Sequence, residues 1–331
     1  RVMQKKLMFQ FFLLGIYFMS SGLLFAEQTP DDILKAIVKV KATIPENAYT
    51  AKILGTEREG NGVAIDASGH ILTIGYLILE AETIQVVDAN GDSISADFVA
   101  YDYKTGFGIL RANPPLSVTP LKLGRSSLLK EGDRILIAGF GGSRAVLGSR
   151  VVSRQEFAGY WEYLLEDAIY TSPPYPNYGG AALIDSAGHL LGIGSIFTQL
   201  SIAGLGVIPC NMSVPIDLLK PILADLIRSG RSSEMPQPWL GVHADESHGR
   251  VIIIRVTPGG PAARAGLKAG DIVLAVNQTP VKGLAGFFRQ IWAVGPAGVT
   301  VPLRVLQGTQ VRDIYVTSAD RYQKLKVSRQ P

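Results

Sequence analysis

From Ile37 onward the apolar residues fall in short runs separated by clusters of Gly, Asn, Asp and Ser. Gly62–Asp66 leads through Ala67-Ser68-Gly69 into His70–Thr73, a strand–turn–strand pattern with glycine in the turn. Thr83–Val87 and Ile94–Tyr101 follow on either side of Asn90-Gly91-Asp92, and then Phe107–Arg111 and Leu121–Leu123. A second set opens at Asp133–Ala138 and continues through Ala145–Ser153, Tyr163–Tyr170, Ala181–Ile184 and His189–Ile196. Two successive groups of short antiparallel strands predict a mainly β chain with two barrels or sandwiches. Ile216–Arg228 breaks the pattern, because Leu218, Leu219, Ile222, Leu226 and Ile227 recur at helical spacing. Residues 229–238 are polar and Pro-rich and read as a linker, 239–318 as a separate small domain, and 319–331 as a polar tail, loose after Asp320.

Composition fits this picture. With 331 residues, 47% of them hydrophobic, the chain can bury more than one core. The 36 glycines and 19 prolines suit a protein of tight turns. The formal charge of +4 is concentrated at the start of the chain. Setting aside Arg1, Lys5 and Lys6 from the 32 basic residues leaves 29 against 28 acidic ones. No long basic run remains, so composition gives no case for nucleic acid. The single cysteine, Cys210, excludes an intramolecular disulfide framework and reads as a buried structural thiol.

Lys5 and Lys6 precede an apolar stretch from Leu7 to Ala26. A charged start, an apolar middle and a small residue at Ala26 make 1–26 a signal peptide, with an uncleaved membrane anchor as the alternative, since about 20 apolar residues can span a bilayer. Either reading exports the remainder to the periplasm or cell envelope.

Several blocks occur in an order that resembles the HtrA (Deg) branch of the trypsin-like serine proteases. They are Gly60-Asn61-Gly62-Val63-Ala64-Ile65-Asp66, Ile71-Leu72-Thr73, Gly132-Asp133 with Ile137-Ala138-Gly139, Asn177 to Leu183, and Met212–Pro215. Pro258–Asp271 (PGGPAARAGLKAGD), followed by Ile272–Asn277, resembles a bacterial PDZ domain. The resemblance implies a trypsin-like double β-barrel over 27–228, split at 124/125, with the helix closing the second barrel, and a PDZ domain, sandwich-like with helices, over 239–318. It also implies a peptide groove. Trp239-Leu240-Gly241-Val242 resembles the carboxylate-binding loop, and Leu284, Phe287, Phe288 and Ile291 form one face of the helix that borders it. A peptide would add there as a strand, although the same side chains could simply fill the core.

The family's catalytic positions carry other residues. Tyr76 stands where the family has histidine, in Thr73-Ile74-Gly75-Tyr76-Leu77, and Gly106 where it has aspartate, in Gly106-Phe107-Gly108-Ile109. Tyr178 stands where it has serine, in Pro176-Asn177-Tyr178-Gly179-Gly180. Pro176 replaces a glycine whose N–H serves the oxyanion hole, and proline has no N–H. A phenol is a poor general base near neutral pH. On these residues alone the expectation is a pseudoprotease: no enzyme, no cofactor and no metal, but an exported scaffold, chaperone-like or regulatory protein that binds peptide C-termini or unfolded segments of envelope proteins. It would assemble as a trimer or with active HtrA-like relatives. Two alternatives stay open. One is an active serine endopeptidase of periplasmic quality control with a rebuilt site. The other is metal binding on the protease scaffold, for which His243 and His248 near Asp245 and Glu246 are the nearest candidates, at a spacing that matches no standard site. Gly139-Phe140-Gly141-Gly142-Ser143 lacks the Walker lysine and the nucleophile-elbow spacing. His70 and His189 each follow a turn glycine and read as surface residues.

Overall fold

The computed structural model describes residues 28–323, so the leader read at 1–26 and the last eight residues of the tail lie outside the described residues. The chain is mainly β, as expected. Strands β1 (Ile37–Thr43), β2 (Glu57–Ala64), β3 (His70–Ile74), β4 (Thr83–Val87), β5 (Ser93–Tyr101) and β6 (Phe107–Ala112) close into a barrel in the order 1-2-3-6-5-4. Strands β7 (Arg134–Ala138), β8 (Val146–Gly159), β9 (Tyr163–Ser172), β10 (Ala182–Ile184), β11 (Leu190–Ile202) and β12 (Gly206–Pro215) close a second barrel in the order 10-11-12-9-8-7. Closure leaves neither barrel a free edge, and the inward residues of both meet in one continuous core that includes Val40, Leu72, Phe107, Ile193 and Met212.

The two barrels share a turn. Ile65-Asp66-Ala67-Ser68-Gly69-His70 and Ile184-Asp185-Ser186-Ala187-Gly188-His189 repeat each other in sequence. In each, one carboxylate oxygen of the aspartate accepts from the amides two and four residues on, at 2.9 and 3.1 Å from Asp66 and 2.9 and 2.9 Å from Asp185. The other oxygen meets the histidine Nδ1, at 2.6 Å for His70 and 3.1 Å for His189. Glycine supplies the left-handed step at φ +92° (Gly69) and +83° (Gly188). His70 is buried in this arrangement, contrary to the surface reading, because the ring lies over its own turn and not in solvent.

Two other sequence expectations change. The helix expected over Ile216–Arg228 is a 3₁₀ turn, Ile216–Leu218, followed by an α-helix, Leu223–Ser229. Pro221, which has no N–H to donate, falls between them. Leu121–Leu123 forms only a bridge from Leu123 to Leu190.

The third unit is a sheet of β13 (Val242–Ser247), β14 (Arg250–Val256), β15 (Ile272–Val276), β16 (Thr279–Pro280), β17 (Thr300–Gln307) and β18 (Gln310–Thr317). The helix Gly283–Ala293 covers it, burying Leu284, Phe287, Phe288 and Ile291. Trp239 and Ala319 exchange both backbone hydrogen bonds at 3.0 Å, which closes the unit at its base. The described part of the segment after Asp320, residues 321–323, is held in place. Arg321–Gln323 form a 3₁₀ turn against the first barrel, where the Tyr103 amide donates to the Tyr322 hydroxyl at 3.2 Å and Arg321 stacks 4.5 Å over the Tyr103 ring. The aromatic surface of Tyr103 and Tyr322 explains the docking, since it leaves water only when the turn closes.

Candidate functional site

The cleft lies between the barrels and opens toward the PDZ unit as a cavity of about 640 Å³. Tyrosines 76, 101, 163 and 178 face it from the barrels, and Trp239 and Leu284 face it from the PDZ side. The loop that carries Tyr178 to the cleft is held by Asn61 in β2. The Asn61 Nδ2 donates to the carbonyls of Asn177 (2.7 Å) and Gly179 (3.1 Å), its Oδ1 accepts from the Phe140 amide (2.8 Å), and its own amide donates to Gly179 (2.8 Å). One buried amide side chain thus holds the 177–179 loop against both barrels. Sequence reasoning quoted Asn61 only as part of a block. The available signal was a polar residue between two glycines, where the charged half of the strand (Glu57-Arg58-Glu59) gives way to its apolar end (Val63-Ala64). Gly180 is obligatory beside it, since a Cβ there would lie 1.9 Å from the Asn61 carbonyl.

Tyr76, Gly106 and Tyr178 converge on this cleft. Tyr76 sits on the 3₁₀ turn after β3 and donates its hydroxyl to the Ser195 carbonyl at 2.7 Å. Burial, reinforced by Tyr178, raises its pKa well above the ordinary tyrosine value, so it remains a donor. Gly106 closes a turn with φ +85°, and its amide donates to Asp102 at 2.7 Å. A Cβ at 106 would come within 3.2 Å of the Tyr163 hydroxyl, which donates to Thr105. The space an aspartate would need is therefore filled by a tyrosine from the second barrel. Asp102 is a turn residue and accepts from the Thr105 amide and hydroxyl at 2.8 and 2.6 Å. Pro176 is exposed, and the neighbouring Tyr175 is buried with its amide donating to Asn211 at 2.6 Å.

The loop before β13 presents a ring of donors. Leu240, Gly241 and Val242 donate their amides to a single carboxylate at 3.0, 2.7 and 2.8 Å. Trp239 is not among them, because its amide is spent on Ala319. Gly241 permits the geometry at φ +77°, with Thr257 and Trp239 too close for a Cβ. Of the helix face, Leu284 borders the cavity, whereas Phe287, Phe288 and Ile291 are fully buried in the PDZ core.

The residues weighed for a metal do not assemble: among the described residues no three His, Cys, Asp or Glu side chains converge. His248 Nδ1 contacts the Ser247 hydroxyl, and Glu246 accepts from the Leu284 amide at 2.8 Å. Burial, with Arg255 and Arg321 nearby, lowers the His243 pKa to about 4.

Two closed barrels around a cleft, followed by a PDZ sheet, define a trypsin-like peptidase body with a peptide-binding module. Residues 60–193 match the trypsin-like peptidase domain family and residues 238–317 the PDZ domain family. Serine endoprotease DegS of Haemophilus influenzae is 30% identical over 278 residues, which cover 75% of this chain and 77% of that protein. Protease Do-like 1, chloroplastic, of Arabidopsis thaliana is 28% identical, over 89% of this chain and 70% of that protein. The probable periplasmic serine endoprotease DegP-like of Halomonas elongata is 30% identical, over 79% of this chain but only 56% of that protein. The chain belongs to the HtrA/Deg family, with a trypsin-like peptidase domain and one PDZ domain. Among solved structures, the HtrA-type protease AlgW with tripeptide superposes with a TM-score of 0.52 at 22% identity, over 88% of this chain and 97% of that one. The serine endoprotease from Yersinia pestis superposes with a TM-score of 0.52 at 23% identity, over 88% and 98%.

These relatives correct one expectation. The reading of the chain as no enzyme rested on Tyr76, Gly106, Tyr178 and Pro176 alone, and relatives named as serine endoproteases overturn it. Individual side chains weighed one at a time carry less than a body, cleft and appended domain matched along most of the chain.

Proposed function

We propose that this HtrA-family protein recognises polypeptide C-termini or unfolded segments in the cell envelope through its PDZ loop and the adjoining cleft. One observation carries the reading: the amides of Leu240, Gly241 and Val242 converge on one carboxylate. Donors so placed suit the terminal carboxylate of a peptide, and β13 beside them offers backbone groups for an added strand. The apolar wall at Leu284 and Trp239 would take the final side chain. Export accords with relatives named as periplasmic, and the role would be scaffolding, chaperone-like holding or regulation within protein quality control, as a trimer or with HtrA-family partners. Titration of the full chain with decapeptides ending in an apolar residue tests the reading. Free-acid peptides should bind and their C-terminal amides should not; equal affinity refutes it.

A second reading, favoured by the names of the relatives, is a serine endopeptidase of periplasmic quality control with an unusual site. A hydrolytic cycle here runs without histidine at 76 or serine at 178, so its base and nucleophile are other groups facing the cleft. Degradation of unfolded casein, followed through a final purification step, tests it. Cleavage that co-purifies with the protein supports the reading, and its complete absence refutes it.

A further inference from the structure

The carboxylate held by the PDZ loop belongs to the chain itself. It is Glu162, at the tip of the β8–β9 hairpin of the second barrel. Gly159 pairs with Tyr163, so Tyr160, Trp161 and Glu162 are the three-residue connection. Such loops end in a left-handed residue, a position glycine fills at least strain, yet here it is Glu162 at φ +56°. A non-glycine residue keeps that conformation where surrounding contacts over-determine it. Three amide donors do so, and they leave Glu162 only 5% exposed.

The rest of the tip follows the same groove. Tyr160 accepts a backbone hydrogen bond from Ala244 at 2.9 Å, two residues along β13 from Val242, which is the alternation an added strand makes. Ala158 packs against the PDZ core, and Tyr160 lies 5.7 Å from the His243 ring. On the far side of the groove, Arg289 of the helix pairs with Glu156 of β8 at 2.6 Å and with Glu166 of β9 at 2.5 Å. Loop, strand and helix, the three elements that would receive a peptide, all hold the hairpin.

We propose that residues 156–166 are an internal ligand of the PDZ groove, with Glu162 standing for a terminal carboxylate, and that a peptide C-terminus binds by displacing it. The inference rests on the peptide-binding reading above and adds what the peptide competes with. An intramolecular competitor lowers apparent affinity by the fraction of molecules whose groove is open. Freeing the groove therefore tightens peptide binding without any new contact to the peptide.

The test uses the full chain, Glu162→Ala and, as a second way to loosen the hairpin, Arg289→Ala. Fluorescein-labelled decapeptides ending in valine, leucine or phenylalanine are titrated as free acids and as amides. Amide hydrogen exchange at Leu240, Gly241 and Val242 is measured with no peptide present. Expected are binding at least tenfold tighter to Glu162→Ala for free acids only, a smaller gain for Arg289→Ala, and at least tenfold faster exchange at the three amides. Unchanged exchange in both variants overturns the internal ligand, whatever the peptides do. Equal peptide affinity in wild type and both variants also overturns it. Faster exchange with no peptide bound by any of the three proteins leaves the internal ligand standing and refutes the peptide-binding reading instead.

Discussion

Replacing Asn61 by alanine removes the side chain that holds the 177–179 loop and takes a hydrogen bond from each of three backbone groups. Its Nδ2 serves the carbonyls of Asn177 and Gly179 and its Oδ1 serves the Phe140 amide. Each hydrogen bond contributes about 1 kcal/mol net, and a buried group left unpaired costs about 1–3 kcal/mol. Gly179 keeps the Asn61 backbone amide, so its loss is the smallest of the three. The total is about 2–4 kcal/mol, equivalent to roughly 4–16 °C in Tm at the about 2–4 °C per kcal/mol usual for a body of this size. Asn61→Asp separates hydrogen bonding from volume. Its carboxylate can still accept from Phe140 but faces two carbonyls with no proton to offer, so it should be at least as destabilising as alanine. The assay is guanidinium unfolding followed by far-UV circular dichroism, with proteolysis of the 173–180 loop as a local readout. A loss below about 1 kcal/mol for alanine, or Asn61→Asp as stable as wild type, would refute the role given to Asn61.

Gly106→Asp, the substitution that would restore a family residue, should destabilise by roughly 1–3 kcal/mol, because the position is left-handed and Tyr163 fills the space; thermal unfolding checks it. Partial burial pushes the Asp217 carboxyl up, but its bonds to Lys220 and Ser127 outweigh this and lower its pKa to about 2. A depressed folded value gives stability that is present above the unfolded pKa near 4 and is lost as pH falls toward 2, so Asp217→Asn should flatten the acid limb of the stability profile in that window. Burial pushes the Cys210 thiol up to about 11, so iodoacetamide at pH 8 should label it only in denaturant, and rapid labelling of native protein would contradict its buried placement.

Much of this architecture was readable because it rests on local rules. Alternation and turn glycines mark the barrel strands, and Pro258–Asp271 marks the PDZ unit at a glance. The turn repeated at Asp66–His70 and Asp185–His189 is equally legible, since the two segments differ only in the order of one Ala-Ser pair. The leucine spacing over Ile216–Arg228 predicts one helix, and Pro221 within it marks where the structure divides it. Other features had no local signal. Glu162 in a hairpin tip reads as an exposed turn residue until another domain closes over it, and its burial is a property of docking. The inward face of Phe287 and Ile291 was correctly read as apolar, but periodicity does not distinguish a groove wall from a core. The space at Gly106 depends on Tyr163, 57 positions away, which no pattern within one strand can convey.

The docking of Tyr322 on the first barrel has a consequence for how the molecule is made. Its hydroxyl meets Asp102 across 220 positions of sequence, so the contact closes last in any synthesis that runs from the N-terminus. The first barrel needs nothing beyond Ala112 for its six strands and can form while most of the chain is still being synthesised. The cover over Tyr103 arrives only with residues 321–323, after both later units have emerged. An interval therefore exists in each molecule's history when a finished barrel carries an uncovered aromatic patch. A chain shortened before Arg321 would remain in that interval permanently, exposed to chaperones and to self-association.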